Sequence, residues 1–250
     1  VVFNVEHIPF TLDIFYNVMA FFAGASMLIG AIGGLRQTSI KRIIAYSGIA
    51  HMGFVLCIFS VSYQASLALN VLYYFLIYTF INIGIFAVIS ALSKNPFYKG
   101  DIADLKGLYK TNPVLSFALT IFMFSNAGVP PLAGFFAKYS IFAILIKNQS
   151  YILPIVGITA SVIASLYYFR IIKNMYFDEA ENLDFAANTK YKINVAIKFL
   201  ILISIIVNLS FLYLTQTQLL LVLVLIIYLL KFGSFMPILF YLYVFQHYKV

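Results

Sequence analysis

"AGVPPLAGFFAKYS" (residues 127–140) lies inside a run that is otherwise almost wholly apolar. Pro130 and Pro131 each lack an amide donor and crowd the preceding turn, so a helix does not pass through them unbroken. Gly128 and Gly134 flank the pair, and Lys138 follows one to two turns later. The apolar run extends over residues 113–146. At 1.5 Å per residue such a run would form a helix of about 51 Å, against a hydrocarbon core of about 30 Å. Tilt does not absorb so large an excess. The stretch therefore predicts one crossing made of two half-helices joined by unwound backbone. Irregular backbone at membrane depth is tolerated only against protein or a hydrated cavity, and Lys138 is placed to face it.

The rest of the chain supports a membrane setting. Its 250 residues are 63% hydrophobic and only 10% charged, with a mean hydropathy of +0.99. Soluble domains hold about 45–50% apolar and about 25% charged residues. The apolar runs are continuous rather than alternating, which selects helices over a barrel. Seven segments are predicted, at about 11–35, 38–61, 65–92, 113–146, 150–174, 193–215 and 218–245. Their connections alternate sides, which allows the cations to be sorted. One side receives Arg36, Lys41, Arg42, Lys94, Lys99, Lys106, Lys110, Arg170, Lys173, Lys190, Lys192 and Lys249, and the other only Lys147. Lys138, Lys198 and Lys231 lie within segments, the last two read as snorkelling near helix ends. That asymmetry is a positive-inside signal and supports the segment count. The net charge of +8 is then topological, and nucleic acid is not an expected partner.

Further features narrow the class. The first apolar run is followed by many more, which argues against a cleavable signal peptide. Cys57 is the single cysteine, so this chain alone forms no intrachain disulfide and holds no iron–sulfur cluster. Trp is absent while Phe, Ile, Tyr, Asn and Lys abound. Those five have AT-rich codons, a pattern that points to a mitochondrial gene. No phosphate loop, dinucleotide fingerprint or metal-ligand spacing is present. "GAIGGL" (30–35) is glycine-rich but lies in a membrane segment, where small residues serve close helix packing.

Lys138 is the first candidate for chemistry. A charged lysine near the bilayer centre costs about 2.5–3.5 kcal/mol on insertion scales. A desolvated amine also releases its proton more readily than a hydrated one, as a relay requires. His51, in "IAYSGIAHMGFVL", lies near the middle of the second segment. Imidazole carries a proton in either direction near neutral pH, though a neutral histidine bonded to a neighbouring helix fits the same position. A haem would want further intramembrane histidines, and His7 and His247 lie near the termini. Tyr46, Ser47, Tyr78, Thr79, Asn82, Ser125, Asn126, Ser161, Ser165 and Tyr168 could order a polar path or bind helices together. Asp101, Asp104, Asp178, Glu179, Glu181 and Asp184 fall in loops on the basic side. A sodium-selective transporter usually shows a deep carboxylate, so protons are the expected cargo.

Four stretches carry a family likeness: "LRQTSIKRIIAYSGIAHMGFVL" (35–56), "YTFINIGIFAVISAL" (78–92), "DIADLKGLYKTNPVLSFALTIFMFSNAGVPPLAGFFAKYSIF" (101–142) and "YYFRIIKNMYFDE" (167–179). In order and spacing they resemble the antiporter-like subunits of respiratory complex I, the proton-translocating NADH–quinone oxidoreductase. Sister subunits 4 and 5 usually carry histidine or lysine where this chain has "YYFLIYTFINIG", so the likeness is to subunit 2, the bacterial N-type. The resemblance implies a bundle of about fourteen helices with two inverted repeats, each holding one broken helix. On it, residues 1–192 become the second repeat and 193–250 the C-terminal transmembrane helices, with no family role for 218–245. It implies that Lys138 on the broken helix relays protons and that His51 belongs to a polar central axis. Gly128, Pro130, Pro131 and Gly134 then form the helix break. The first repeat, with its own broken helix, is not in these residues, so a separate chain supplying that half is an expected partner. The other expected partners are the remaining membrane-arm subunits and lipids such as cardiolipin. No cofactor is expected on this chain, and FMN, iron–sulfur clusters and ubiquinone belong to the parent complex. The implied location is the mitochondrial inner membrane, with basic loops on the matrix side. A component of a multi-subunit cation/proton antiporter is the competing expectation.

Overall fold

Backbone groups in hydrocarbon find no water to bond, so a spanning segment satisfies them within its own helix. The computed structural model describes residues 8–61, 65–179 and 193–210, and they are almost entirely helical. The long helices are α1 (Ile8–Leu35), α2 (Ile40–Ile58), α3 (Ala65–Leu92) and α7 (Ile152–Tyr176). Within them, Asp13–Leu35, Ile40–Ile58, Leu69–Leu92 and Ile152–Tyr176 are long and apolar enough to cross a membrane. Between α3 and α7 come a 3₁₀ turn (Ile102–Leu105), the single turn α4 (Leu108–Thr111), and the half-helices α5 (Pro113–Ala127) and α6 (Ala133–Lys147). The crossing expected to break at the prolines does so, with Gly128 to Leu132 unwound. A final described helix, α8 (Val195–Ser210), packs into the same compact unit, which ends at Leu209. The expected segment 218–245 and Lys231 lie outside the described residues. Asp13, not counted among the loop acids, sits near the start of α1 and is exposed.

Close approach of α1 and α2 organises the bundle. Gly30 of α1 lies on the backbone of Tyr46 and Ala50, and Gly53 of α2 lies on that of Ala23 and Met27. A Cβ at either position would collide with main chain, which cannot step aside as a side chain can. Gly33 and Gly34 receive the rings of Tyr46 and Tyr167. The "GAIGGL" stretch is thus a packing surface. The opposite flank of α1 shows Phe21, Phe22, Ile29 and Ile32 to the outside, and α7 does the same with Ile155, Ile158, Val162 and Leu166. Such faces suit lipid or another apolar helix.

The loops rich in cations meet at one end of the molecule. Ile40 N donates to Gly100 O and Ile102 N to Thr38 O, while Gly107 N donates to Asn174 O. Arg170 reaches across from α7 to Leu35 O (2.9 Å), the last carbonyl of α1, and to Gln37 O in the turn that follows. Asp104 Oδ2 accepts from the amides of Lys99, Gly100 and Asp101 at 2.7–3.0 Å, which fixes the loop after α3. Charges counted by sequence as a topological signal therefore include residues that hold this end together.

Candidate functional site

A helix that stops inside a bundle leaves carbonyls without amide partners. At the end of α5 the chain turns through Gly128, whose φ of +86° is a conformation open mainly to glycine. Gly128 N donates to Ser125 O and Val129 N to Phe124 O, the paired bonds of a Schellman turn. Asn126 O and Ala127 O remain. Lys138, on α6, takes both: Nζ donates to Asn126 O at 2.9 Å and to Ala127 O at 3.4 Å. It also donates to Ser161 Oγ of α7 at 3.3 Å, and the ammonium lies 5.2 Å from the centre of the Phe54 ring.

Lys138 is only 6% exposed. Hydrogen bonds from a charged donor contribute about 1.5–3 kcal/mol each, and the carbonyl end of a half-helix adds the attraction of its dipole. Together these offset the roughly 2.5–3.5 kcal/mol that a charged lysine costs at membrane depth. The prolines thus expose two carbonyls, and the lysine occupies them. Its side chain runs directly over Gly128, where a Cβ would lie 3.4 Å from Lys138 Cδ.

His51 lies nearby on α2, 5% exposed. Its Nδ1 is 2.7 Å from Tyr74 Oη of α3, and either atom can be the donor. The ring stacks on Tyr78, with centroids 4.7 Å apart. His51 is thus bonded to a neighbouring helix and also lines a small cavity. That cavity, of about 10 Å³, is lined by His51, Tyr74, Tyr78, Gly134 and Ala137, the last adjacent in sequence to Lys138. Room for about one water separates the histidine from the second half-helix. Phe54 touches both sides, with its ring 6.2 Å from that of His51.

Not all of the sequence candidates converge here. Asn126 and Ser161 surround Lys138, and Tyr78 adjoins His51. Ser47, one turn along α2, pairs with Tyr168 Oη at 2.5 Å. Asn82 donates to Tyr78 O and Ser165 to Val162 O, each within its own helix. Tyr46 is half-buried against Gly33. Ser125 bonds Gly134 N and Asn208 rather than the lysine. The sequence reading did not single out Tyr74, Phe54, Ser204 or Asn208. Asn208 stands four residues after Ser204 in an apolar helix, and that spacing was the available signal.

Replacing His51 by glutamine keeps a hydrogen-bonding group beside Tyr74 and removes titration. His51→Gln is expected to slow proton-coupled turnover by about threefold, less than loss of Lys138, because a water in the cavity partly bridges the gap. Measured turnover in membranes checks this, and a loss equal to that of Lys138→Met would make His51 the principal relay.

Spanning helices around a broken, lysine-bearing crossing define a polytopic membrane bundle with a charged break. The chain belongs to the NADH:quinone oxidoreductase/Mrp antiporter transmembrane family, whose pattern it matches over residues 2–164. It is 41% identical over 187 residues to NADH-quinone oxidoreductase subunit N of Paramagnetospirillum magneticum, covering 74% of this chain and 38% of that protein. Among solved structures, it resembles a chain of respiratory complex I from Thermus thermophilus with bound NADH at a TM-score of 0.68 and 20% identity. That match covers 84% of this chain and 43% of the other. A chain of the Mrp complex from Dietzia sp. gives a TM-score of 0.66 at 18% identity, covering 79% and 44%. At such identities the structural likeness speaks to the fold alone. The chain spans about two fifths of the length of the curated relatives it matches.

Proposed function

We propose that this chain conducts protons in the membrane arm of a respiratory complex I, driven by quinone reduction in other subunits. The observation that carries the reading is Lys138, a buried amine held by the freed carbonyls of a proline-broken helix. A proton leaving or reaching this amine passes Ser161 and Asn126 on one side. On the other side lies the small cavity between Gly134 and Ala137 of the same half-helix and His51, Tyr78 and Tyr74. So narrow a connection suits a pump. Moving a charge against 100 mV costs about 2.3 kcal/mol, and an open file of water would let it return.

The parent complex supplies FMN, iron–sulfur clusters and ubiquinone, none of them on this chain. Other membrane-arm subunits are its partners, and anionic lipid such as cardiolipin suits the basic end. The remaining helices of the antiporter-like fold cover the faces of α1, α5 and α6. The absence of Trp and the abundance of Phe, Ile, Tyr, Asn and Lys favour a mitochondrial inner membrane, with the basic loops on the matrix side. The identities to subunit N favour complex I over a cation/proton antiporter, the second reading that the family's range keeps open.

Purification of the native assembly tests the choice. Flavin and iron–sulfur absorbance co-purifying with the chain is the expected result, together with a companion polypeptide by mass spectrometry. Sodium-dependent proton exchange in an assembly without those absorbances would favour the antiporter.

A further inference from the structure

The second half-helix starts without a cap of its own. Leu132 holds the N-cap position of α6, and its side chain offers no acceptor. First-turn amides still need partners from outside the helix. Ser125 of the other half-helix provides one, its Oγ accepting from Gly134 N at 3.1 Å. The hydroxyl has a single proton, which it donates to Asn208 Oδ1 of α8 at 2.5 Å. Asn208 is oriented in turn, since its Nδ2 donates to Ser204 O at 3.1 Å. The relay of bonds runs one way, from the Gly134 amide through Ser125 and Asn208 to the carbonyl of Ser204. Ser125 and Ser204 are 0% exposed and Asn208 1%, so bulk water cannot replace any member.

Gly134 lies one turn before Lys138 on the same helix. Where that turn begins decides where the lysine meets Asn126 O and Ala127 O. We propose that Asn208 is a positioning residue for proton transfer at Lys138, acting through Ser125 to pin the first turn of α6. The proposal rests on the relay reading of Lys138. It gives α8 a part in the site although none of its side chains bonds the lysine among the described residues.

The test uses the intact complex in native membranes. Asn208→Leu removes both polar atoms at similar size and is expected to lower turnover by about fivefold, the scale of a lost helix cap. The protons moved per electron pair by each assembled complex fall with it. Ser125→Ala is expected to have the same effect, and the double variant to be no worse than either single one, because both cut one chain of bonds. Ser125→Thr keeps the hydroxyl and is expected to restore function. Simple helix adhesion would instead reduce the amount of complex, leave the stoichiometry per complex unchanged and make the two losses add. Should Asn208→Leu not assemble, the contrast between Ser125→Ala and Ser125→Thr decides by the same measurements. Normal turnover and stoichiometry in these variants, beside an impaired Lys138→Met, overturn the positioning role. An unimpaired Lys138→Met overturns the relay reading instead.

Discussion

Lys138→Met is expected to yield an assembled complex whose proton pumping and coupled quinone reduction fall by about tenfold or more. A positioned proton-transfer group contributes about 10²–10⁴-fold, part of which water recovers when the group is lost. Methionine keeps most of the apolar stem of lysine but leaves Asn126 O and Ala127 O without their donor. Some local instability, on the order of 1–3 kcal/mol for an unsatisfied buried group, therefore accompanies the change. Lys138→Arg separates the two roles. Guanidinium still donates to the carbonyls but stays charged and cannot cycle its proton, so this variant is expected to assemble and yet fail to pump. Proton-to-electron ratios in reconstituted vesicles check both, and a normal ratio in either assembled variant would remove Lys138 from the path.

The other large effect belongs to Gly134. A Cβ there would meet the Ser125 carbonyl, with Ser125 Oγ 3.0 Å away. Gly134→Val thus forces the two half-helices apart at the point where they cap one another. Overpacking of this kind costs about 1–3 kcal/mol, and one or two kcal/mol already changes the folded-to-unfolded ratio about five- to thirtyfold. The amount of assembled complex on a native gel is expected to fall accordingly. Gly24→Ala is the comparison, since its Cβ would meet only Leu153 and Val156 side-chain carbons at 3.9–4.0 Å. Equal amounts of complex from the two variants would show that the close approach at Gly134 is dispensable.

The fold was readable in the sequence because lipid leaves a chain few choices. Continuous apolar runs gave the helices, and the excess length of 113–146 together with Pro130 and Pro131 gave the break. Lys138 stood out because a charge in such a run has no neutral explanation of equal weight. What one-dimensional reading did not supply was pairing. Whether Ser47 meets Tyr168, or Ser125 meets Asn208, depends on how helices rotate against each other, and residues far apart in sequence decide that. Asn82 and Ser165 each donate a hydrogen bond within their own helix, which their place in the sequence does not reveal. Asn208 is the converse case, because its helix is otherwise largely apolar and its partner Ser125 lies on another.

The break is fastened from both sides, Lys138 holding the end of α5 and Ser125 the start of α6. A joint made this way is a splice rather than a hinge, since neither half can swing without releasing the other. On the proposed reading, proton transfer at Lys138 calls for movement of one side chain within this joint rather than a rocking of helices. On that reading the backbone of the break stands still while the proton moves.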